Sequence, residues 1–244
     1  MERLYGRHAV HECLRAHRRH IGKLLMAEGL QAAPILQDIV KLAQTQRVPV
    51  TTAPRDLFDQ VSPHSQGVLL EVDEYPYAEL DEIVDGAGVE GAAPLILILD
   101  SLQDPQNLGN LMRTAEAVGV SGLVIPERRS ASITPAVVNA SAGATEHLRI
   151  ARVVNLARAV DTLKKSDVWV AALQDDARAQ DIYGANLKGA LALIVGSEGE
   201  GVSRLLRDKA DYVVKLPMRG QIESLNASVA GAVALYEILR QRGA

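Results

Sequence analysis

The sequence predicts an α/β protein: a C-terminal, mostly parallel sheet with helices on both faces, preceded by a small α/β domain. Three observations carry this. Leu95–Asp100 is a continuous apolar run ending in one acid, the pattern of a strand buried on both faces of a parallel sheet. From Leu95 onward, strand-like runs alternate with segments of helical spacing. Three polar loops, at 104–113, 196–201 and 216–226, each follow a strand-like run and open a helix. In open α/β sheets such loops gather at the carboxyl ends of the strands, where ligands bind.

The first part of the chain alternates the two element types. Gly6–Ala16 places Ala9, Val10, Cys13 and Leu14 on one helical side. Lys23–Ala27 is strand-like, and Pro34–Gln44 is a helix carrying Ile35, Ile39 and Leu42. Val48–Thr51 is a short strand, Pro54–Gln60 a short helix begun by proline, and Gly67–Val72 a closing strand. Residues 1–73 are thus read as a small domain. Residues 74–93 hold Pro76, Gly86, Gly88 and Gly91 among alanines and acids, the composition of a connector, with a weak helix at Tyr77–Val84.

Residues 94–244 form the larger domain. Helix Leu108–Val118 leads to strand Gly122–Ile125, and further strands fall at Leu148–Val153, Val168–Leu173, Leu191–Val195 and Tyr212–Leu216. Helices are expected near Asn155–Lys165 and Ser203–Lys209, and Ala227–Arg240 is the last.

Composition bounds the function. No apolar run, Leu95–Leu99 included, is long enough to span a membrane, and Met1–Tyr5 has no apolar signal core. A single cysteine, Cys13, permits no internal disulfide and suits a reducing cytoplasm. Net charge is −4, but it is unevenly spread. Residues 56–112 contain no Lys or Arg and 12 acids, so the remainder carries 26 basic against 18 acidic side chains. Arg3, Arg7, Arg15, Arg18, Arg19 and Lys23 crowd the N-terminus with His8, His11, His17 and His20. Charge alone is compatible with phosphate binding there or with a solvated helix face. No cysteine or carboxylate cluster joins those histidines at a zinc spacing, so no metal is expected.

The loops carry the chemistry. In the first, Asn107 stands where an N-cap belongs, and Arg113 projects from the same end of the helix. A cation there opposes the helix dipole, which calls for an anion. The anion is either a phosphate gripped by the guanidinium or a structural acid such as Asp104 or Glu116. The second loop, Gly196-Ser-Glu-Gly-Glu-Gly201, lets a ligand approach main-chain amides closely. It lacks the G-x-G-x-x-G spacing of dinucleotide sites, and Glu198 is either a site group or a turn residue. In the third, Ser224-Leu-Asn226 caps a helix with small residues at Ala227, Ser228, Ala230, Gly231, Ala232 and Ala234. Those small residues point to close packing against a subunit or a threaded loop. Val229, Val233 and Tyr236 form an apolar stripe on the same helix.

In order, D-P-x-N-x-G-x-x-x-R, G-S-E-G-x-G and L-P-M…S-L-N-x-S resemble the SpoU/TrmH family of RNA ribose 2′-O-methyltransferases over about residues 94–244. The N-terminal Leu4-Tyr-Gly-Arg-His-Ala-Val resembles the small substrate-binding domain of its RlmB-like branch, which methylates a guanosine of large-subunit (23S) ribosomal RNA. The resemblance implies a deep trefoil knot, a homodimer, and S-adenosylmethionine (SAM) as cofactor. It implies that SAM contacts Gly196, Leu216 and Leu225 with Met218 nearby, and that Arg113 is catalytic with Asn107, Glu198, Ser224 and Asn226. Asn139 stands where many relatives have lysine.

Overall fold

The structure, a computed structural model, describes residues 1–86, 93–128, 130–221 and 224–243. The centre of the expected connector, residues 87–92, and Ile222 and Glu223 of the third loop lie outside the described residues.

Packing separates two units: residues 1–76 with 133–147, and residues 77–132 with 148–244. The sequence-based division followed chain order and left 133–147 with the C-terminal domain.

In the first unit, β1 (Glu2–Tyr5), β2 (Ile21–Ala27), β3 (Val50–Ala53) and β4 (Val68–Val72) form one sheet in the order β1-β4-β2-β3. β4 runs antiparallel to β1 and β2, while β2 and β3 are parallel. Around it lie α1 (Arg7–Ala16), α2 (Pro34–Thr45) and α3 (Arg55–Val61). Ala9, Val10, Cys13 and Leu14 of α1 are buried, as its spacing predicted. Leu36, Ile39 and Ala43 form the buried side of α2. Phe58, the only phenylalanine, anchors α3 against Leu25, Ala27 and Leu69.

The segment 133–147 belongs to this unit through polar ties. Arg19 grips Glu146 with two hydrogen bonds, Nε to Oε2 at 3.0 Å and Nη2 to Oε1 at 2.5 Å. Both side chains are almost fully buried. Asn139 Nδ2 donates to Tyr5 O at 3.0 Å, and the Tyr75 hydroxyl donates to Thr145 O at 2.9 Å. Gly6, at φ 87°, turns the chain between β1 and α1, where a Cβ would collide with the Asn139 amide.

The second unit is a seven-stranded parallel sheet. Its strands are β5 (Leu95–Asp100), β6 (Gly122–Pro126), β7 (Ile150–Val153), β8 (Trp169–Leu173), β9 (Gln180–Asp181), β10 (Leu191–Gly196) and β11 (Tyr212–Lys215). The spatial order is β7-β6-β5-β10-β8-β11-β9, every pairing parallel. β5 and β10 are buried along their whole length, which explains their unbroken apolar runs.

The helices of this unit are α4 (Leu80–Gly86), α5 (Pro105–Ala117), α7 (Leu156–Lys165), α8 (Arg204–Lys209) and α9 (Ala227–Gln241); α6 (Pro135–Ala140) belongs to the first unit. Ile96, Ile98, Ala192 and Ile194 face one way, packing with Ile83 of α4, Leu156, Val160 and Leu163 of α7 and Leu206 of α8. The other face carries Val195, which with Leu111 of α5 lies where a Cβ on Gly231 of α9 would project. Helices therefore cover both faces of the sheet.

α9 turns several of its small residues inward. Its buried residues are Ala227, Ser228, Gly231, Ala234, Leu235, Glu237 and Ile238, so several of the small residues serve packing within the chain. The Val229, Val233 and Tyr236 stripe faces outward instead, at 49%, 37% and 54% exposure.

Candidate active site

The first loop begins its helix earlier than expected. α5 starts at Pro105, and Asp104 is its N-cap, its Oδ2 accepting the Asn107 N–H at 2.9 Å. Proline at the first helical position and an aspartate just before it are the standard start signal. Asn107 is therefore not the cap, which frees its amide for other bonds. Arg113 lies beyond the first turns of α5, where the dipole argument no longer applies. Its side chain is exposed, with no hydrogen bond or ion pair to Asp104, Glu116 or any other described residue.

Asn107 Nδ2 donates to Glu198 Oε1 at 2.8 Å. Asn226 Nδ2 donates to Asn107 Oδ1 at 2.9 Å and also to Glu198 Oε1. The three side chains, from three separate loops, thus form a closed triangle. Asn226 doubles as the N-cap of α9, its Oδ1 accepting the N–H groups of Ser228 at 3.0 Å and Val229 at 3.3 Å. Glu198 is thus held by two carboxamides from other loops, which a bare turn residue would not be.

Beside this triangle lies a cavity of about 960 Å³ at the carboxyl ends of β8, β10 and β11. Gly196, Glu198, Leu216, Met218, Ser224, Leu225 and Asn226 all line it. Every cofactor-binding residue picked from the sequence is on that wall. Of the five picked as catalytic, Asn107, Glu198 and Asn226 are hydrogen-bonded together. Ser224 borders the cavity without a hydrogen bond to them among the described residues, and Arg113 stands outside its lining.

The floor is shaped by close backbone approach. A Cβ on Gly196 would coincide with the carbonyl group of Gly201, so only glycine lets the 197–201 loop fold back on the end of β10. Gly201, at φ 67°, leaves room for Gln174, whose Oε1 accepts the Val202 N–H at 2.9 Å. Asp100 at the end of β5 accepts the Ser203 N–H at 2.8 Å, fixing the start of α8. Gln174, Asp100 and the Lys215–Asp175 ion pair on the cavity wall (2.9 Å) escaped the sequence reading. They lie outside the motifs, and nothing local marks them.

A smaller hollow of about 380 Å³ in the first unit lies between Met26, Leu30, Leu36 and Val40, with Lys41 among its lining residues. Among the described residues no cluster of three metal-ligating side chains occurs, and no helix is long and apolar enough to cross a membrane.

Much of the N-terminal basic run is paired with acids of the chain, Arg19 inside it and the others at the surface. Arg19 is buried against Glu146 and Glu2, Arg3 and Lys23 pair with Glu71, and Arg15 with Glu12.

A parallel α/β sheet with a cavity at its carboxyl edge, built from glycine-rich loops and an amide–carboxylate cluster, defines a nucleotide-type ligand site of the enzyme class. The chain belongs to the SpoU rRNA methylase family, whose model matches residues 94–236. A second model, RNA 2′-O ribose methyltransferase substrate binding, matches residues 3–78. A putative TrmH family tRNA/rRNA methyltransferase, YacO, of Bacillus subtilis is 44% identical over 97% of this chain and 94% of its own. The Staphylococcus aureus relative, also named a putative TrmH family tRNA/rRNA methyltransferase, is 42% identical over 98% and 96%. The SpoU methyltransferase AviRb of Streptomyces viridochromogenes superposes with a TM-score of 0.82 at 26% identity, covering 99% of this chain and 89% of that one. AviRb is also known in complex with AdoMet, in a structure matching at TM-score 0.81 and 24% identity over 98% and 89%. The chain is an RNA methyltransferase of the SpoU/TrmH family.

Proposed function

We propose that the chain transfers a methyl group from SAM to the ribose 2′-hydroxyl of a guanosine in large-subunit (23S) ribosomal RNA, working as a cytoplasmic homodimer. The observation that carries this reading is the Asn107–Asn226–Glu198 triangle, two members of which, Glu198 and Asn226, line the cavity.

The cavity fits SAM: its volume suits a nucleoside bearing an amino-acid tail, its wall offers Leu216, Met218 and Leu225, and Gly196 lets the 197–201 loop fold back to form its floor. Bound SAM supplies an electrophilic methyl on a sulfonium. The chain's part is to place the ribose oxygen in line with it and to manage the hydroxyl proton. Glu198 is held through Oε1 by two amide donors, which leaves Oε2 to accept that hydrogen. Arg113 grips a phosphate of the RNA and steadies the developing oxyanion; a guanidinium keeps its charge and does not serve as a literal base. The phosphate itself is the other candidate acceptor. Ser224 contributes from the cavity edge.

In this reading residues 1–73 bind the RNA, 74–93 connect, and 94–244, apart from the 133–147 segment that packs with the first unit, form the SAM domain, closed by a trefoil knot. The family matches at 3–78 and 94–236 support that division. The outward Val229, Val233 and Tyr236 stripe supports a second copy as partner.

The test is transfer of labelled methyl from SAM to unmodified large-subunit ribosomal RNA, followed by nucleoside digestion. Label in 2′-O-methylguanosine is expected. Label in another nucleoside, or only in tRNA, moves the target. Absence of SAM binding gives the lead to a non-catalytic RNA-binding assembly factor. Arg113→Lys, which keeps the charge but loses the fork, is expected to lower turnover at least tenfold; near-normal turnover contradicts the phosphate clamp.

A further inference from the structure

The serine that joins the amide triangle is Ser228, the last residue of the S-L-N-x-S motif, to which the resemblance assigned no role. Its hydroxyl lies 2.7 Å from Asn226 Oδ1 and 3.3 Å from Asn107 Oδ1, and the residue is only 8% exposed. Both neighbours are acceptors, so the one hydroxyl hydrogen is shared between them, mainly with the nearer Asn226 Oδ1. A carboxamide has one acceptor and one donor end, and its two orientations differ only in which end faces which partner. An asparagine turned the wrong way would present its oxygen to the Glu198 carboxylate and its NH2 to another donor. The helix N–H groups of Ser228 and Val229 hold Asn226 in the correct sense. For Asn107, the O–H of Ser228 and the Nδ2 of Asn226 do so.

We propose that Ser228 is a positioning residue that fixes both carboxamides so that each Nδ2 donates to Oε1 of Glu198, leaving Oε2 aimed at the ribose hydroxyl. This rests on the methyl-transfer reading above. Glu198 Oε2 makes no hydrogen bond among the described residues, consistent with an acceptor kept open for substrate. Ser228 acts through the asparagines and touches no reacting atom.

The test uses Ser228→Ala in the full chain with two readouts. In single-turnover methyl transfer the rate falls about 3- to 10-fold, the value of one neutral hydrogen bond, while the KM for SAM and RNA stays within about twofold. In the free protein, the side-chain NH2 resonances of Asn107 and Asn226 exchange with solvent about tenfold faster or more than in wild type. The second readout needs no activity. If wild type transfers no methyl yet Ser228→Ala speeds amide exchange, the methyl-transfer reading falls and the positioning role stands. Wild-type rate and exchange in an active Ser228→Ala enzyme overturn the inference. Should the alanine variant not fold, Ser228→Cys, with a thiol that donates weakly, decides by the same two measurements.

Discussion

Asn107 and Glu198, 91 positions apart, are joined by a 2.8 Å hydrogen bond from the amide of one to the carboxylate of the other. The bond exists because Asp104 takes over the capping of α5, leaving the Asn107 side chain free. Asn226 closes the triangle from a third loop while capping α9 with its oxygen. One short residue thus starts a helix and orients a carboxylate, which couples the fold of the third loop to the geometry of the site.

Gly196→Ala is predicted to damage the cavity itself. The added methyl falls on the Gly201 carbonyl, and backbone cannot move aside as a side-chain tip can. Displacing the loop costs roughly 1–3 kcal/mol and shifts Glu198 with it. Calorimetry should show SAM affinity weakened at least tenfold together with a lower melting temperature. Unchanged affinity contradicts the proposed cofactor contact.

The Arg19–Glu146 pair is predicted to hold 133–147 to the first unit. Glu146→Gln leaves the buried guanidinium with Glu2 as its one remaining carboxylate partner, and breaking such a buried pair by removing one partner costs up to roughly 3–5 kcal/mol. Urea unfolding of the variant measures it. A loss below ~0.5 kcal/mol, the level of an ordinary surface change, refutes the assignment.

Acid stability should depend on Glu237. Hydrogen bonds from Arg240 and from Gln241 hold its carboxyl down to about 2 despite burial. A lowered native pKa stabilises the fold above the ordinary carboxylate range, and the contribution fades as pH falls towards 2. The gap in melting temperature between wild type and Glu237→Gln should be widest near neutrality and close in acid. A gap independent of pH counts against this.

Val233→Glu places a charge in the outward stripe of α9, between Val229 and Tyr236. Sedimentation should find wild type dimeric and the variant monomeric, with the helical content unchanged. A variant that stays dimeric puts the subunit interface elsewhere.

Local signals carried most of this fold into the sequence. Leu95–Asp100 matched β5 residue for residue, because a strand buried on both faces writes its limits in apolar side chains. Glycine spacing marked the loop at Gly196, and the order of three short motifs gathered Asn107, Glu198 and Asn226 before any geometry was known. What escaped depends on distant partners. Arg19 counts as one more surface cation until Glu146, 127 positions on, is seen beside it. β1 is four residues with two charges, stabilised by pairing with β4, and α6 lies in a stretch without clear periodicity. Val229, Val233 and Tyr236 have core spacing, yet the inward side of α9 is set by Gly231 meeting Leu111 and Val195.

The most direct test of the site is Glu198→Gln, which keeps the shape of the side chain and removes its charge. SAM binding by calorimetry and single-turnover methyl transfer to large-subunit ribosomal RNA are measured together. The predicted result is near-normal SAM affinity with transfer slowed roughly 10²-fold or more. Transfer at the wild-type rate by a Glu198→Gln enzyme that binds SAM normally would contradict the account.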